Sequence, residues 1–223
     1  MIERDYRKFR LSKLKTPEFS HLLLLLFWPI YGIMFFLLER ILPLTFHRVY
    51  VPFDDLIPFC EFFIIPYYMW FVFLVGMVLY LGLCDIENFR KYMYFIIISY
   101  SVTVVIYLVY PTYQDLRPTI FERDNIFVHI VQFLYGFDTN TNVCPSIHVL
   151  GMAGAFMGGG RAKGKQKIGW KIFWVISLIL VCISTVFLKQ HSIIDVIAGA
   201  ALSFVTYIIV YKTKIFEKKR EKV

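Results

Sequence analysis

His191 and Asp195 stand four residues apart in "HSIID" (191–195). At helical spacing two such side chains share a face and can touch. A carboxylate that accepts from one imidazole nitrogen sets the tautomer and leaves the other nitrogen free to act as nucleophile or base. Alone, the pair could equally be a buried structural hydrogen bond at a helix start, and two ligands at one spacing are weak evidence for a metal. A second histidine, His148, sits at the entrance of "CPSIHVLG" (144–151). Pro145 suits the first helical position, where its missing N–H would have been unpaired anyway. The amides that follow, with the Ser146 hydroxyl, then form an anion site at a helix start. A protonated imidazole at that mouth could give a proton to a leaving oxygen; the plain alternative is a capped helix with an interfacial histidine. Arg117, just before Pro118, offers a planar fork that matches phosphate oxygens or simply touches lipid headgroups.

Taken together, these residues suit phosphoryl transfer. His191 would attack phosphorus with Asp195 orienting it, and His148 would protonate the departing alkoxide. Arg117, Ser146 and the helix amides would hold the equatorial oxygens, whose charge must be stabilised in the transition state. No acidic cluster of the kind a magnesium site needs accompanies them, so neither metal nor other cofactor is expected.

The elements that must position these groups are membrane spans. The 223 residues are 58% hydrophobic and 18% charged, with a mean hydropathy of +0.62, whereas a soluble domain is about 45–50% apolar and about a quarter charged. At about 20 apolar residues per helix, apolar runs at 20–38, 57–82, 92–110, 145–160, 169–188 and 191–211 predict an all-α bundle of six transmembrane helices. A basic segment at 1–19 precedes this 20–211 membrane domain and a basic tail at 212–223 follows it. Pro29 and Pro66 lie inside spans and predict kinks there. Six lysines and arginines fall in the first twenty residues, two at Arg90 and Lys91, five between Arg161 and Lys171, and six from Lys212 to Lys222. With six alternating helices, these 19 of 24 cations share one face, which the positive-inside rule makes cytoplasmic. Both termini are then inside, and the net charge of +8 belongs to that face and not to a nucleic-acid surface. The three chemically interesting stretches fall together at the outer leaflet. The connection 111–144 contains "IFERDNIFVHIVQFLYGF" (120–137), read either as a helix at the outer interface or as an ordinary helix covering the bundle. The four dispersed cysteines show no metal or disulfide spacing, and Cys144 is read as packing. Gly154 and Gly158, with Gly199 and Ala200, predict close packing of spans four and six. That packing should bring the His148 and His191 rings within about 8 Å, as one shared phosphate requires.

"YPTYQDLRP" (110–118), "PSIH" (145–148) and "STVFLKQHSIID" (184–195) resemble, in order and spacing, the three-part signature of the type 2 phosphatidic acid phosphatase family: K-x6-R-P, P-S-G-H and S-R-x5-H-x3-D. The resemblance covers roughly residues 90–211. It implies a phosphohistidine mechanism with His191 as nucleophile, Asp195 as its partner and His148 as general acid. Arg117 and Ser146 would bind phosphate, with Ile147 beside them. Three positions depart: Tyr110 replaces the lysine, Ile147 the glycine and Thr185 the arginine. Lys189 or Arg123 could compensate for the lost cations. Thr185 is similar to the branch containing inositol phosphorylceramide synthase, and sphingomyelin synthases also lack that arginine; both transfer a phospho-headgroup between lipids.

The expectation is a metal-independent membrane enzyme that removes or transfers the phosphate group of a lipid phosphate through phospho-His191. The alternatives are a headgroup transferase and a catalytically degenerate lipid-binding or transport protein. The expected partners are a lipid phosphate and the bilayer, with no nucleic acid and the oligomeric state left open. The expected location is a bacterial plasma membrane, an organelle membrane with a lumenal site being equally consistent.

Overall fold

A computed structural model describes residues 2–42, 45–163, 167–213 and 215–216. Among them the chain forms seven α-helices: α1 (Phe27–Arg40), α2 (Ile64–Cys84), α3 (Ile86–Val109), α4 (Ile126–Phe137), α5 (Ile147–Arg161), α6 (Ile168–Phe187) and α7 (Ile193–Tyr207). Tight 3-10 turns lead into α1 (Ser20–Leu26) and α2 (Glu61–Phe63), and a π-helical stretch, Ile208–Lys212, extends α7. Five of the resulting segments are long and apolar enough to cross a membrane: Ser20–Arg40, Glu61–Cys84, Ile86–Val109, Ile168–Phe187 and Ile193–Lys212. The expected fourth span is shorter. At 15 residues and a rise of 1.5 Å per residue, α5 is about 22 Å long, less than a hydrocarbon core of about 30 Å.

What α5 lacks in length it makes up in centrality. It packs against α2, α3, α6 and α7, and most of its residues are buried. Small residues permit this. A Cβ on Gly151 would lie 2.6 Å from both Trp70 and Tyr100, and one on Gly159 would lie 2.1 Å from Trp174. The glycine pattern therefore serves more neighbours than the α5–α7 contact expected for it. Gly154 faces Phe95 and Ile96 on α3, Gly158 faces Leu81 and Tyr92, and Ala200 is exposed. Only Gly199 lies at the α5–α7 contact, 3.0 Å from the Ser146 carbonyl and Val149 once a Cβ is added.

The prolines also act differently from the expected kinks. Pro29 and Pro66 sit in the first turns of α1 and α2, where a missing N–H breaks no interior hydrogen bond. They mark the change from 3-10 to α geometry.

Basic segments gather at one end of the bundle. There Glu3 accepts from Lys163 Nζ (2.6 Å) and from the Ile86 amide (2.9 Å), while Arg161 lies over the Tyr211 ring at 4.7 Å. Lys165, Lys214 and the tail from 217 onward lie outside the described residues. At the other end, two short parallel strands, β1 (His47–Arg48) and β2 (Thr112–Tyr113), join the first and third connections. Thr112 Oγ1 accepts from the Val143 and Cys144 amides (3.2 and 3.0 Å) and so ties the chain just before α5 to β2. Asn125 caps α4 through the Phe127 and Val128 amides. This helix buries Val128, Val131 and Leu134 against the bundle and leaves Ile126, Phe133 and Phe137 exposed, so it covers the bundle and presents an apolar outer face as well.

Candidate active site

The ends of α1, α5, α6 and α7 meet at the strand-bearing end of the bundle. Ser192 caps α7 and Asp195 occupies its third position, forming a reciprocal capping box. His191 therefore precedes the helix and does not share a helical face with Asp195. Their contact arises from the cap: Asp195 Oδ2 accepts from the Ser192 amide at 2.9 Å and meets His191 Nδ1 at 3.3 Å. The turn before it is held by the Thr185 carbonyl, which accepts from the Gln190 and His191 amides (2.9 and 3.1 Å). The Asp195 carbonyl accepts from the Ser146 amide (3.1 Å), so the cap of α7 is joined directly to the cap of α5. Pro145 lies one residue ahead of that cap and not at the first helical position, because α5 begins at Ile147.

This junction brings the two histidines together. His148 Nδ1 and His191 Nε2 are 3.1 Å apart, with ring centroids at 5.3 Å, inside the expected separation. With His191 Nδ1–H donated to Asp195, its Nε2 carries the lone pair that His148 Nδ1–H approaches. His148 is wedged between Tyr67 and Trp70, whose rings lie 4.6 and 4.4 Å away. Tyr107 and Tyr100 hydroxyls donate to the Pro145 and Ile147 carbonyls (2.7 and 3.2 Å) and fix the start of α5. Ser146 is buried, and its hydroxyl has no partner. Beside the two rings lies a cavity of about 20 Å³, whose wall includes Glu39, Asp138, Asn142, Ile147, His148, Gln190 and His191.

The remaining expected residues are spread more widely. Arg117 is outside the cavity wall. Its guanidinium donates to the Tyr135 and Asp138 carbonyls (3.1 and 2.7 Å) and to Gln190 Oε1, and lies over the Tyr135 ring at 4.4 Å. Burial draws its pKa below the usual guanidinium value, against the pull of Asp138. Gln190 is thus the link between Arg117 and the cavity.

Four residues do not line the cavity as expected. Tyr110 is exposed and stacks on His47 at 4.1 Å, because α3 ends before it. Thr185 turns its hydroxyl to the Cys182 carbonyl (2.8 Å) within α6 and serves the turn through its backbone. Arg123 pairs with buried Glu61 at 3.1 Å. Lys189, whose φ of 51° is left-handed, sends Nζ to the Asp54 carbonyl at 2.8 Å; burial lowers its pKa while Asp54 opposes. Neither cation stands in for the motif's missing charges. The Cys144 thiol is pushed up to about 12 by burial and by the neighbouring Asp195 carboxylate, which keeps it protonated and fits its reading as packing.

Several participants have no place in the motif. Asp54 accepts from Ser192 Oγ (2.6 Å) and the Ile193 amide (2.9 Å), so a carboxylate of this chain already fills the start of α7 and leaves the start of α5 for another anion. Asp138 Oδ2 accepts from Tyr67 at 2.5 Å, and its carboxyl is held above the ordinary range by burial, with the Tyr67 bond opposing. The available signals were weak: Gln190 adjoins the histidine, and Asp54 follows Pro52 in "VPFDDL" (51–56).

A family model of the PAP2 superfamily matches residues 88–219. The chain belongs to the PAP2 superfamily. The match covers more than half the sequence, from the first turn of α3 past α7, and includes Arg117, Ser146, His148, His191 and Asp195. PAP2 proteins are phosphatases and phosphotransferases of membrane type, in keeping with five membrane-length apolar helices here. No curated protein and no solved structure matches the chain.

Proposed function

We propose that this PAP2 protein is a six-span membrane enzyme that cleaves or transfers the phosphate group of a lipid phosphate through a phosphohistidine at His191. One observation carries the reading: the 3.1 Å approach of His148 Nδ1 to His191 Nε2, with Asp195 behind His191. That chain of three groups would hold a nucleophile, its orienting carboxylate and a proton donor within hydrogen-bond reach of one another. An incoming phosphate parts the two rings. His191 Nε2 then faces phosphorus, and the leaving oxygen takes the place at His148 that the other ring held. The unpartnered Ser146 hydroxyl and the first amides of α5 receive a phosphate oxygen. Arg117 acts from behind Gln190, positioning its amide and lending charge at a distance. α5 is counted as a sixth, shortened crossing, enclosed by longer helices that shield it from lipid. The cation-rich end faces the cytoplasm, and the histidine pair faces the outer leaflet of a bacterial plasma membrane.

The test is turnover of short-chain phosphatidic acid by purified protein in detergent, measured as free phosphate and as phosphate transferred to an added lipid alcohol. His191→Ala is expected to abolish both products. Equal turnover by wild type and His191→Ala would overturn the assignment.

A further inference from the structure

Asp54 lies on the connection between α1 and α2, ahead of residue 88 where the family match begins. It nevertheless grips the loop that carries His191 from both sides. On one side, Lys189 Nζ donates to the Asp54 carbonyl at 2.8 Å. On the other, Ser192 Oγ donates to Asp54 Oδ2 at 2.6 Å and the Ile193 amide to Oδ1 at 2.9 Å. Only Gln190 and His191 stand between these ties. Asp54 is 1% exposed, and the Val51 amide also reaches its Oδ2, at 3.0 Å. That bond closes the 3-10 turn Pro52–Leu56 on itself, so the grip comes from a locally fixed turn. Lys189 has a left-handed φ of 51°, which a residue with a Cβ adopts at a cost and keeps where its surroundings impose it. The bond from its ammonium to Asp54 is one such constraint.

We infer that Asp54 is a positioning residue for His191. It touches no substrate; by fixing the start of α7 it sets where His191 Nε2 stands relative to His148 and to phosphorus. This role rests on the phosphohistidine reading. In that reading the two imidazoles part to admit phosphate, and the His191 ring turns while its backbone stays. Asp195 meets His191 Nδ1 at 3.3 Å, so a retreat of the loop or of α7 breaks the contact. The Thr185 carbonyl holds the Gln190 and His191 amides from the α6 side (2.9 and 3.1 Å). Asp54 supplies the matching hold from a segment that the family match does not include.

The position requires a carboxylate. Three donors converge on its two oxygens: the Val51 amide, the Ile193 amide and the Ser192 hydroxyl. An asparagine has one carbonyl oxygen and one NH2. Whichever way that amide is turned, its NH2 faces either the Val51 or the Ile193 N–H, and a buried donor is left without an acceptor. The start of α7 then backs away from the turn. A displacement of about 1 Å at a reacting centre costs on the order of 10² in rate, and the binding of substrate by other groups is spared.

The experiment uses the full-length protein in detergent with short-chain phosphatidic acid. Asp54→Asn is expected to lower kcat at least about thirtyfold with KM within about threefold of wild type. Ser192→Ala removes one of the same bonds without setting donor against donor, which keeps the test open where Asp54→Asn does not fold. It should lower kcat at least about fivefold, and the double variant should lose clearly less than the product of the two single losses. Gly159→Ala is the control for destabilisation alone, because its Cβ meets Trp174 and not the histidine loop. Single variants with kcat within about threefold of wild type, or losses that multiply in the double variant, would overturn the inference. A second measurement does not depend on turnover. In protein carrying ¹⁵N in its histidines, the His191 ring signals, identified by their absence in His191→Ala, should shift in Asp54→Asn and Ser192→Ala and stay in place in Gly159→Ala. Unchanged His191 signals in the first two, or the same shift in the control, would overturn it as well. Failure of the phosphohistidine reading looks different: turnover is then absent in wild type or indifferent to His191→Ala, whatever happens to the ring signals.

Discussion

At the scale of single residues, His191 owes its poise to a helix cap. Asp195 is committed to the Ser192 amide and to His191 Nδ1 at once, so the group that meets the proposed nucleophile also starts α7. Asp195→Asn presents an amide to the ring or turns it to the wrong tautomer, and should lower kcat by about 10²–10⁴ with a smaller change in KM. His148→Ala should cost a similar factor with natural lipid leaving groups and much less with a p-nitrophenyl phosphate substrate, whose leaving group needs no proton. An equal loss on both substrates would contradict its role as acid. Asp138 supplies a pH prediction. Burial raises its carboxyl in the folded state, so its contribution to stability is full at acid pH, below its unfolded value, and is lost as pH rises through the raised folded value. Asp138→Asn should therefore raise Tm in detergent at pH 7.5, and the gain should shrink as pH falls toward 4. Arg117, Ser146, His148, His191 and Asp195 were legible because their types and spacing are chemically selective. Glu39, Asp54, Asp138 and Gln190 were not, because their roles depend on which chain ends the tertiary fold brings together.

Among the elements, α5 is the one on which the site depends. Its glycines bring α2, α3 and α6 close, and its cap is bonded to that of α7 through Ser146 and Asp195. Gly199→Leu would press a side chain on the Ser146 carbonyl and Val149, where a Cβ already has contacts at 3.0 Å. The start of α5 would move away from His191, and a displacement of about 1 Å at a reacting centre costs on the order of 10² in rate. Gly159→Ala, far from the histidines, meets Trp174 at 2.1 Å and should lower Tm through overpacking of about 1–3 kcal/mol while leaving kcat within about threefold. Comparable loss of activity in both variants would contradict this division. Hydropathy located the five long helices well, since apolar runs of that length have few other uses. It placed α5, expected at 145–160, within two residues of its bounds but misread the prolines, because the 3-10 turns that absorb Pro29 and Pro66 leave no mark in hydropathy.

For the whole molecule, the separation of basic end from histidine-bearing end is the feature on which the proposed orientation rests. Ile120 is 83% exposed at the latter end, and Arg4 lies in the amino-terminal segment at the former. With the four native cysteines replaced by alanine, Ile120→Cys should react with a membrane-impermeant maleimide in intact bacterial cells. Arg4→Cys should react only after lysis, and the opposite pattern would reverse the topology. The charge pattern in the sequence is what proposes this orientation, through the positive-inside rule. The three-dimensional fold adds that the histidine-bearing end is closed by β1, β2 and α4. The central claim is the covalent step at His191. Wild-type protein mixed briefly with ³²P-labelled lipid phosphate and quenched in alkali should retain label that is stable to base, released by acid and mapped to the peptide containing His191. His191→Ala should retain none, whereas undiminished label in that variant, or none in wild type during active turnover, would contradict the account.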